Sequence, residues 1–193
     1  MITLNKCLKV FLLLVVICKT TSSFAQNQVT LGVYQDIRLL FFGDESSNHN
    51  GTMDLILNLN VQTKQDAIGY FVINTEYEQA NIQETLKRYS VNAGYTFNRL
   101  GNNTLPFLQK FEINTSIGCG VIDRHDNFST NFSANLGLFF RINEFVKISL
   151  KNQFLDRTDL MFKYKKREFR HSLFFGLEFS LFKLNNKPVQ FYR

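Results

Sequence analysis

The side chains able to carry out chemistry in this 193-residue chain are few and widely separated. Asp123, His125 and Ser129 are of the types that serve as orienting acid, general base and nucleophile. Their spacing would bring them to the rim of two neighbouring strands. Polar residues at a strand rim need no catalytic role, and that is the interpretation we prefer. We therefore predict no catalytic residue.

The sequence predicts neither a metal site nor a cofactor site. His171 lies in an apolar stretch without the further ligands that a metal ion needs. The segment Gly118-Cys119-Gly120 lacks both the third glycine of a dinucleotide-binding loop and the Lys-Ser/Thr pair of a phosphate-binding loop. We interpret Cys119 as a small apolar filler, and we expect no metal and no cofactor.

The densest run of positive charge is a candidate anion-binding loop. It has aromatic residues on both sides and consists of Lys163, Lys165, Lys166 and Arg167. Lysine and arginine side chains bind phosphate groups, so an anionic surface would suit this loop. The alternative is a solvated loop without a ligand, or one that pairs with Asp44 and Glu45.

The first 25 residues have the layout of a secretory signal peptide. Lys6 and Lys9 lead into an apolar run at residues 10–17, and a small-residue cleavage site follows at residues 23–25. The apolar run is much shorter than the roughly 20 residues that a membrane-spanning helix needs. We expect export and cleavage after Ala25.

Removal of this segment changes both the charge and the cysteine content. The formal net charge falls from +6 to +3 because Lys6, Lys9 and Lys19 leave with it. A weak charge of interspersed signs does not favour nucleic acid as a partner. Cys119 is the one cysteine of the three that remains, so no internal disulfide can form.

The rest of the chain alternates apolar and polar residues, and no segment shows helical spacing over three turns. Hydrophobic residues at 45% and charged residues at 20% exclude a disordered chain. Eight alternating runs cover residues 28–41, 52–62, 67–78, 88–98, 111–121, 128–142, 146–154 and 170–181. The third run has apolar residues on both faces, and we expect Phe71 to point outward. The protein is therefore predicted to be all-β.

The polar face of these runs is rich in small residues, among them Gly94 and Gly118. Glycine gains nothing on a solvated strand, whereas the interior of an eight-stranded barrel has just enough room for side chains. Buried charges need partners, and this face carries as many acids as bases. We expect ion pairs to plug the interior, formed by Asp36, Arg38, Asp54, Glu76, Arg88, Glu112, Arg141, Lys147, Lys151 and Glu178.

The connectors between the runs are expected to alternate in length. Long ones are predicted at residues 43–50, 79–86, 123–127 and 156–169, and tight ones near 64–66, 101–106 and 143–144. Outer-membrane barrels combine short periplasmic turns with longer outer loops. The prediction is a single eight-stranded antiparallel up-and-down transmembrane β-barrel at residues 26–183, with a periplasmic tail at residues 184–193.

A signal ending at Ala25, eight alternating runs and a final phenylalanine-rich strand resemble the small outer-membrane β-barrel proteins of Gram-negative bacteria. The Asn- and Phe-rich style is similar to that of the Bacteroidetes group. Gly176, Phe179 and Leu181 are similar to the signal that barrel assembly machinery reads in a last strand. The resemblance implies a monomer surrounded by outer-membrane lipid, with lipopolysaccharide facing the basic run.

The sequence leaves three functions open. We favour a non-enzymatic structural or surface-interaction role through the outer loops. The second is lipid A acyl hydrolysis or acyl transfer. The deacylase barrels place a serine two positions from the histidine, but Asn127 follows His125 and Leu173 follows His171 at that spacing. The third is a soluble periplasmic carrier, in which the apolar face would line the interior.

Overall fold

Strands make up nearly all of the chain that the computed structural model describes, which is residues 26–43, 48–63, 68–82, 85–98, 107–124, 127–161, 165 and 167–183. The strands are β1 Gln26–Asp36, β2 Asp54–Thr63, β3 Gly69–Ala80, β4 Leu86–Phe97, β5 Phe111–Arg124, β6 Asn127–Arg141, β7 Val146–Arg157 and β8 Glu168–Lys183. Helix α1, Ile37–Phe41, follows β1, and a 3₁₀ helix, Leu108–Lys110, precedes β5. The predicted signal peptide and the predicted tail lie outside the described residues.

The sheet closes on itself. Each strand pairs antiparallel with the next, and β8 pairs with β1, so strand order around the barrel equals chain order. The predicted eight-stranded up-and-down barrel is confirmed. We call the end that holds the start of β1, the finish of β8 and the connectors 64–68, 98–110 and 142–145 the terminal end. The opposite, loop end holds the connectors 37–53, 81–85, 125–126 and 158–167.

The apolar face of the sheet points outward and the polar face points inward. Leu57 is 47% exposed and Ile117 is 73% exposed on the outside, whereas Asn58 and Ser116, one position away on the same strands, are buried inside. Phe71 is on the outside, as predicted. A soluble carrier needs the reverse arrangement, so this orientation overturns the carrier alternative.

The first predicted run is too long, because β1 ends at Asp36 and residues 37–41 form α1. Asp36 caps the helix, since its Oδ1 accepts hydrogen bonds from the backbone N–H groups of Arg38 at 2.9 Å and Leu39 at 3.3 Å. Leu39 is fully buried and Phe41 is 64% exposed, although strand spacing had put both on one face. An aspartate cap offers the backbone an alternative to sheet pairing, and the alternation of apolar residues concealed it.

The connector lengths also differ from the prediction. At the loop end, five residues separate β3 from β4 and two separate β5 from β6, where long loops were expected. At the terminal end, thirteen residues separate β4 from β5, where a tight turn was expected. The predicted loop at residues 123–127 is wrong because β5 and β6 stay paired as far as Arg124 and Asn127.

Two apolar clusters fill part of the interior. The first joins β3, β4 and β5 to β7 near the loop end and consists of Ala80, Leu86, Ile122 and Leu155. The second joins β8, β1 and β2 and consists of Tyr34, Ile56 and Phe174. Every one of these residues is at most 1% exposed. Among the described residues, no helix has the length and apolar character needed to cross a membrane.

Candidate functional site: the charged interior

Charged side chains gather in the loop-end half of the interior. This loop-end cluster consists of Asp36, Asp54, Glu76, Glu78, Arg88, Lys151 and Arg170. Arg88 joins two of its carboxylates, since Nε donates to Glu78 at 2.7 Å and Nη2 donates to Glu76 at 3.0 Å. Lys151 donates to the other oxygen of Glu76. Direct contact with these cations offsets part of the cost of burying Glu76 and Glu78 inside the barrel.

Arg170 is the second centre of the loop-end cluster. Its Nη1 donates to Glu78 at 3.3 Å, its Nη2 donates to Asp54, and the same Nη2 lies 3.7 Å from Oδ2 of Asp36. These carboxylates come from β1, β2 and β3, whereas Arg170 comes from β8. The contacts tie four strands together across the seam where the barrel closes.

A second group, the terminal cluster, consists of Tyr70, Glu112, Arg141 and Lys147. Glu112 accepts hydrogen bonds from Lys147 Nζ at 2.6 Å, from Tyr70 Oη at 2.7 Å and from Arg141. Lys147 Nζ is also 3.2 Å from Tyr70 Oη. Three donors on one carboxylate offset the cost of removing it from water.

Tyr34 and Glu178 lie between the two clusters. Tyr34 donates to Glu178, and Asn60 Nδ2 donates to the same carboxylate oxygen at 3.0 Å. The tyrosine ring lies over Gly32 and Gly176. A Cβ atom at Gly32 would be 2.8 Å from Tyr34 Oη, and one at Gly176 would be 2.8 Å from Tyr34 Cγ. Two strands thus need glycine so that this ring can reach Glu178.

Most of the acids and bases expected inside the barrel lie there, but two do not follow the pattern. Arg38 lies on α1 rather than on the inner face of a strand, and it donates to the main-chain oxygen of His171. It leaves the inner face because the strand has already ended at Asp36. Arg141 pairs with Glu112 from the mouth of the terminal end, where its side chain is 44% exposed.

Sequence reasoning omitted two members of the loop-end cluster, Glu78 and Arg170. Glu78 has the same inward alternation as Glu76, but the apolar residues on both faces of the third run obscured it. Arg170 is the first residue of the eighth alternating run, where nothing in the sequence indicated a partner. A search for acids and bases sharing the inward position near strand ends would have found both.

A polar cavity of about 30 Å³ lies in the terminal half of the interior, with Gln62, Thr96 and Asn114 among its lining residues. Asn58 and Asn135 also line it, and the Oδ1 atom of each has no hydrogen-bond partner among the described residues. A water molecule needs about 10–15 Å³ measured in this way. The cavity therefore has room for a few water molecules rather than for an organic ligand.

The structure describes half of the candidate anion-binding loop. Lys163 and Lys166 lie outside the described residues, and Lys165 is exposed. Arg167 donates to both carboxylate oxygens of Asp156, at 3.1 and 2.6 Å. These hydrogen bonds raise the pKa of Arg167 above its ordinary value, so the guanidinium stays charged at the rim. Its charge is already engaged by Asp156, which sequence reasoning had not paired with it.

The described members of the candidate catalytic group do not meet. Ser129 faces the interior opposite Ile122, whereas Asp123 points outward opposite Lys87. His125 lies outside the described residues. Since Asp123 and Ser129 lie on opposite faces of the sheet, the rim does not bring acid and nucleophile together.

His171 is on the outer face. Its ring stacks on Phe154 with centroids 4.9 Å apart, and its Nε2 lies 2.8 Å from Asn152 Oδ1. Within the described ranges, no group of three histidine, cysteine, aspartate or glutamate residues is arranged to hold a metal ion.

Comparison with solved structures finds the same architecture in outer-membrane proteins. The Yersinia pestis outer-membrane protein Ail in a phospholipid nanodisc is 12% identical, with a TM-score of 0.51 over 81% of this chain and 100% of Ail. The crystal structure of Ail, the attachment invasion locus protein of that organism, is 12% identical, with a TM-score of 0.47 over 82% and 99% of the two chains.

A de novo designed transmembrane β-barrel is 10% identical, with a TM-score of 0.46 over 81% of this chain and 97% of its own. No protein-family profile and no curated protein sequence matches the chain. At 12% identity the nanodisc structure of Ail shows a shared barrel fold and nothing finer.

Proposed function

We propose that this protein is an integral outer-membrane β-barrel with a closed interior and a non-enzymatic structural or surface-interaction role exerted from its loop end. The observation that carries the proposal is the reversed distribution of side chains. Leucine and phenylalanine are exposed all around the outside, and ion pairs are buried within. In water such a surface would associate, whereas a bilayer solvates it.

The interior supports a closed barrel rather than a pore. Two ion-pair clusters and two apolar clusters occupy it, and the cavity between them has room for a few waters. An eight-stranded barrel is just wide enough for side chains to fill it. We therefore place the function on the surfaces of the molecule and not on transport.

Cys119 provides a direct test of the lipid-facing orientation. It is exposed on the outer face of β5, between Val91 of β4 and Phe132 of β6. In reconstituted vesicles we expect Cys119 to react with an apolar maleimide but not with a charged, membrane-impermeant maleimide. Cell fractionation and the change in gel mobility on boiling should show a folded barrel in the outer-membrane fraction.

The matched control moves the cysteine to water without changing the fold. Gln109→Cys in the Cys119→Ser background places a thiol on the exposed 3₁₀ helix at the terminal end. We expect that variant to react with the charged reagent. If Cys119 reacts as fast as the control, or if the protein is recovered in the soluble periplasm, the membrane proposal is wrong.

The remaining sequence predictions belong to this proposal. They are the cleavable signal peptide ending at Ala25, membership of a Bacteroidetes-like group, insertion by barrel assembly machinery and a monomeric state. Lipopolysaccharide remains the proposed partner of the basic run. Arg167 supports that role only in part, because Asp156 already holds its guanidinium.

A further inference from the structure

The loop-end cluster contains one carboxylate more than its cations can neutralise. Lys151 contacts Glu76, and Arg88 contacts Glu78 at 2.7 Å. That leaves Arg170 as the cation in contact with both Asp36 and Asp54. Two ionised carboxylates would then face a single guanidinium in a part of the barrel where both are fully buried.

The two aspartates are neighbours across a strand pair. The β1–β2 register pairs Gln35 with Leu55, which places Asp36, the next residue of β1, beside Asp54, the previous residue of β2. Like charges at directly opposed positions destabilise a sheet, and two carboxylates that share a buried site do not ionise together.

Each of the two aspartates also has an oxygen without a hydrogen-bond partner among the described residues. These atoms are Oδ2 of Asp36 and Oδ1 of Asp54. A buried carboxylate oxygen without a donor is costly, and a proton on one carboxyl group would supply a donor to the pair. We propose that Asp36 and Asp54 share one proton at neutral pH, and that this proton stabilises the packing of α1 against the barrel.

The link to α1 is direct. Oδ1 of Asp36 holds the backbone N–H groups of Arg38 and Leu39, so Asp36 fixes the start of the helix. Leu39 is fully buried. Loss of the shared proton would set two negative charges against each other at the base of this helix. This repulsion would weaken the helix cap made by Asp36 and the packing of the buried Leu39 side chain.

The rest of the loop-end cluster surrounds the pair with charge that could alter its titration: Glu76 and Glu78 on β3, Arg88 on β4, Lys151 on β7 and Arg170 on β8. Arg38 lies two positions after Asp36, on α1. Glu78 also pairs with Arg170, at 3.3 Å. Its negative charge therefore reduces the stabilisation that Arg170 gives to the two aspartates. Arg38 directs its guanidinium to the main-chain oxygen of His171 rather than to Asp36.

The proton gives folding stability a definite dependence on pH. An aspartate in the unfolded chain titrates near pH 4, whereas the folded pair would keep its proton to higher pH. The folded state then binds more protons than the unfolded state above about pH 4, so stability falls as pH rises. The effect ends at the pH where the folded pair releases its proton.

The test compares thermal unfolding in detergent micelles at pH 5.5 and pH 8.5, followed by the mobility difference between folded and unfolded bands. We expect the wild-type midpoint to fall by about 3 °C or more at the higher pH. Asp54→Asn replaces the shared proton with a neutral amide and should remove this fall. Asp123→Asn, which changes an aspartate on the outer face of β5, should leave it unchanged.

A spectroscopic readout separates a shared proton from a merely structural role. Carboxyl ¹³C shifts of Asp36 and Asp54 should show one titration well above that of an aspartate in an unfolded peptide. If Asp54→Asn does not fold, Asp36→Asn serves instead, since asparagine also caps helices. The proposal is overturned if both carboxyls are ionised from pH 5.5 upward. It is equally overturned if replacing sodium with choline at fixed pH removes the stability that we assign to the proton, because a sodium ion would then be what stabilises the pair.

Discussion

Glu112 illustrates how a carboxylate is kept inside a barrel that presents leucine to its surroundings. Lys147, Tyr70 and Arg141 all donate to it, from strands on different sides of the interior. The pair with Lys147 is buried, whereas Arg141 reaches it from the exposed mouth. The loss of stability on replacing Glu112 should therefore arise mainly because Lys147 is left without a partner.

We expect Glu112→Gln to destabilise the folded barrel by about 3–5 kcal/mol, since it leaves a buried lysine without its acid. Urea unfolding in micelles, followed by circular dichroism, measures this change. The control is Lys110→Gln on the exposed 3₁₀ helix, where a change within about 0.5 kcal/mol is expected. A loss below about 1 kcal/mol for Glu112→Gln would show that the buried pair contributes little.

At the scale of the strand, we expect the depth of an outward-facing position in the proposed membrane to decide which substitutions it tolerates. Aromatic pairs lie near both ends of the outer face. The ring centroids of Tyr77 and Tyr89 are 5.2 Å apart toward the loop end, and those of Phe111 and Phe140 are 5.1 Å apart at the terminal end. Phe41 and Phe145 are exposed near the loop end and the terminal end respectively.

Strand β2 offers two positions on one face that differ in depth. Leu59 lies mid-strand, whereas Met53 directly precedes the strand at the loop end, and both are exposed to the outside. In a bilayer we expect Leu59→Arg to cost about 2–4 kcal/mol and Met53→Arg at most about 1 kcal/mol. Unfolding of both variants in phospholipid vesicles measures the difference. Equal costs at the two positions would contradict a membrane belt centred on β2.

For the molecule as a whole, the period of two was sufficient to predict the barrel because side chains on a strand alternate between its faces. It could not predict α1, since Ile37, Leu39 and Phe41 fit the same alternation and the deciding contact is the cap made by Asp36. Connector lengths failed for a related reason. Polar residues at 123–127 look like a loop, but backbone pairing between β5 and β6 continues through most of them.

The candidate site was only partly predictable from sequence for a different physical reason. Alternation tells which side chains face inward, but not which of them meet across the interior. Arg170 of β8 contacts Asp54 of β2 and Glu78 of β3 because the barrel closes between β8 and β1. Such partners are far apart in sequence, so charge balance could be anticipated and the individual pairs could not.

Closure of the interior leads to a prediction for the intact protein. Leu86 and Leu155 meet across the loop-end half from β4 and β7, both at most 1% exposed, and the ion pairs of the loop-end cluster fill the interior beside them. A continuous water path through the barrel would require the buried apolar side chains to move apart and the buried ion pairs to break. Since both arrangements are costly to open, a stable pore is not expected.

Liposomes containing the purified protein should therefore swell in a small sugar no faster than protein-free liposomes, and planar bilayers should show no steady conductance. A sixteen-stranded porin, whose wider barrel leaves an aqueous channel, is the positive control. Swelling at a rate comparable to that of the porin would mean that the interior clusters rearrange in the membrane. The function would then have to be sought in transport rather than at the loop end.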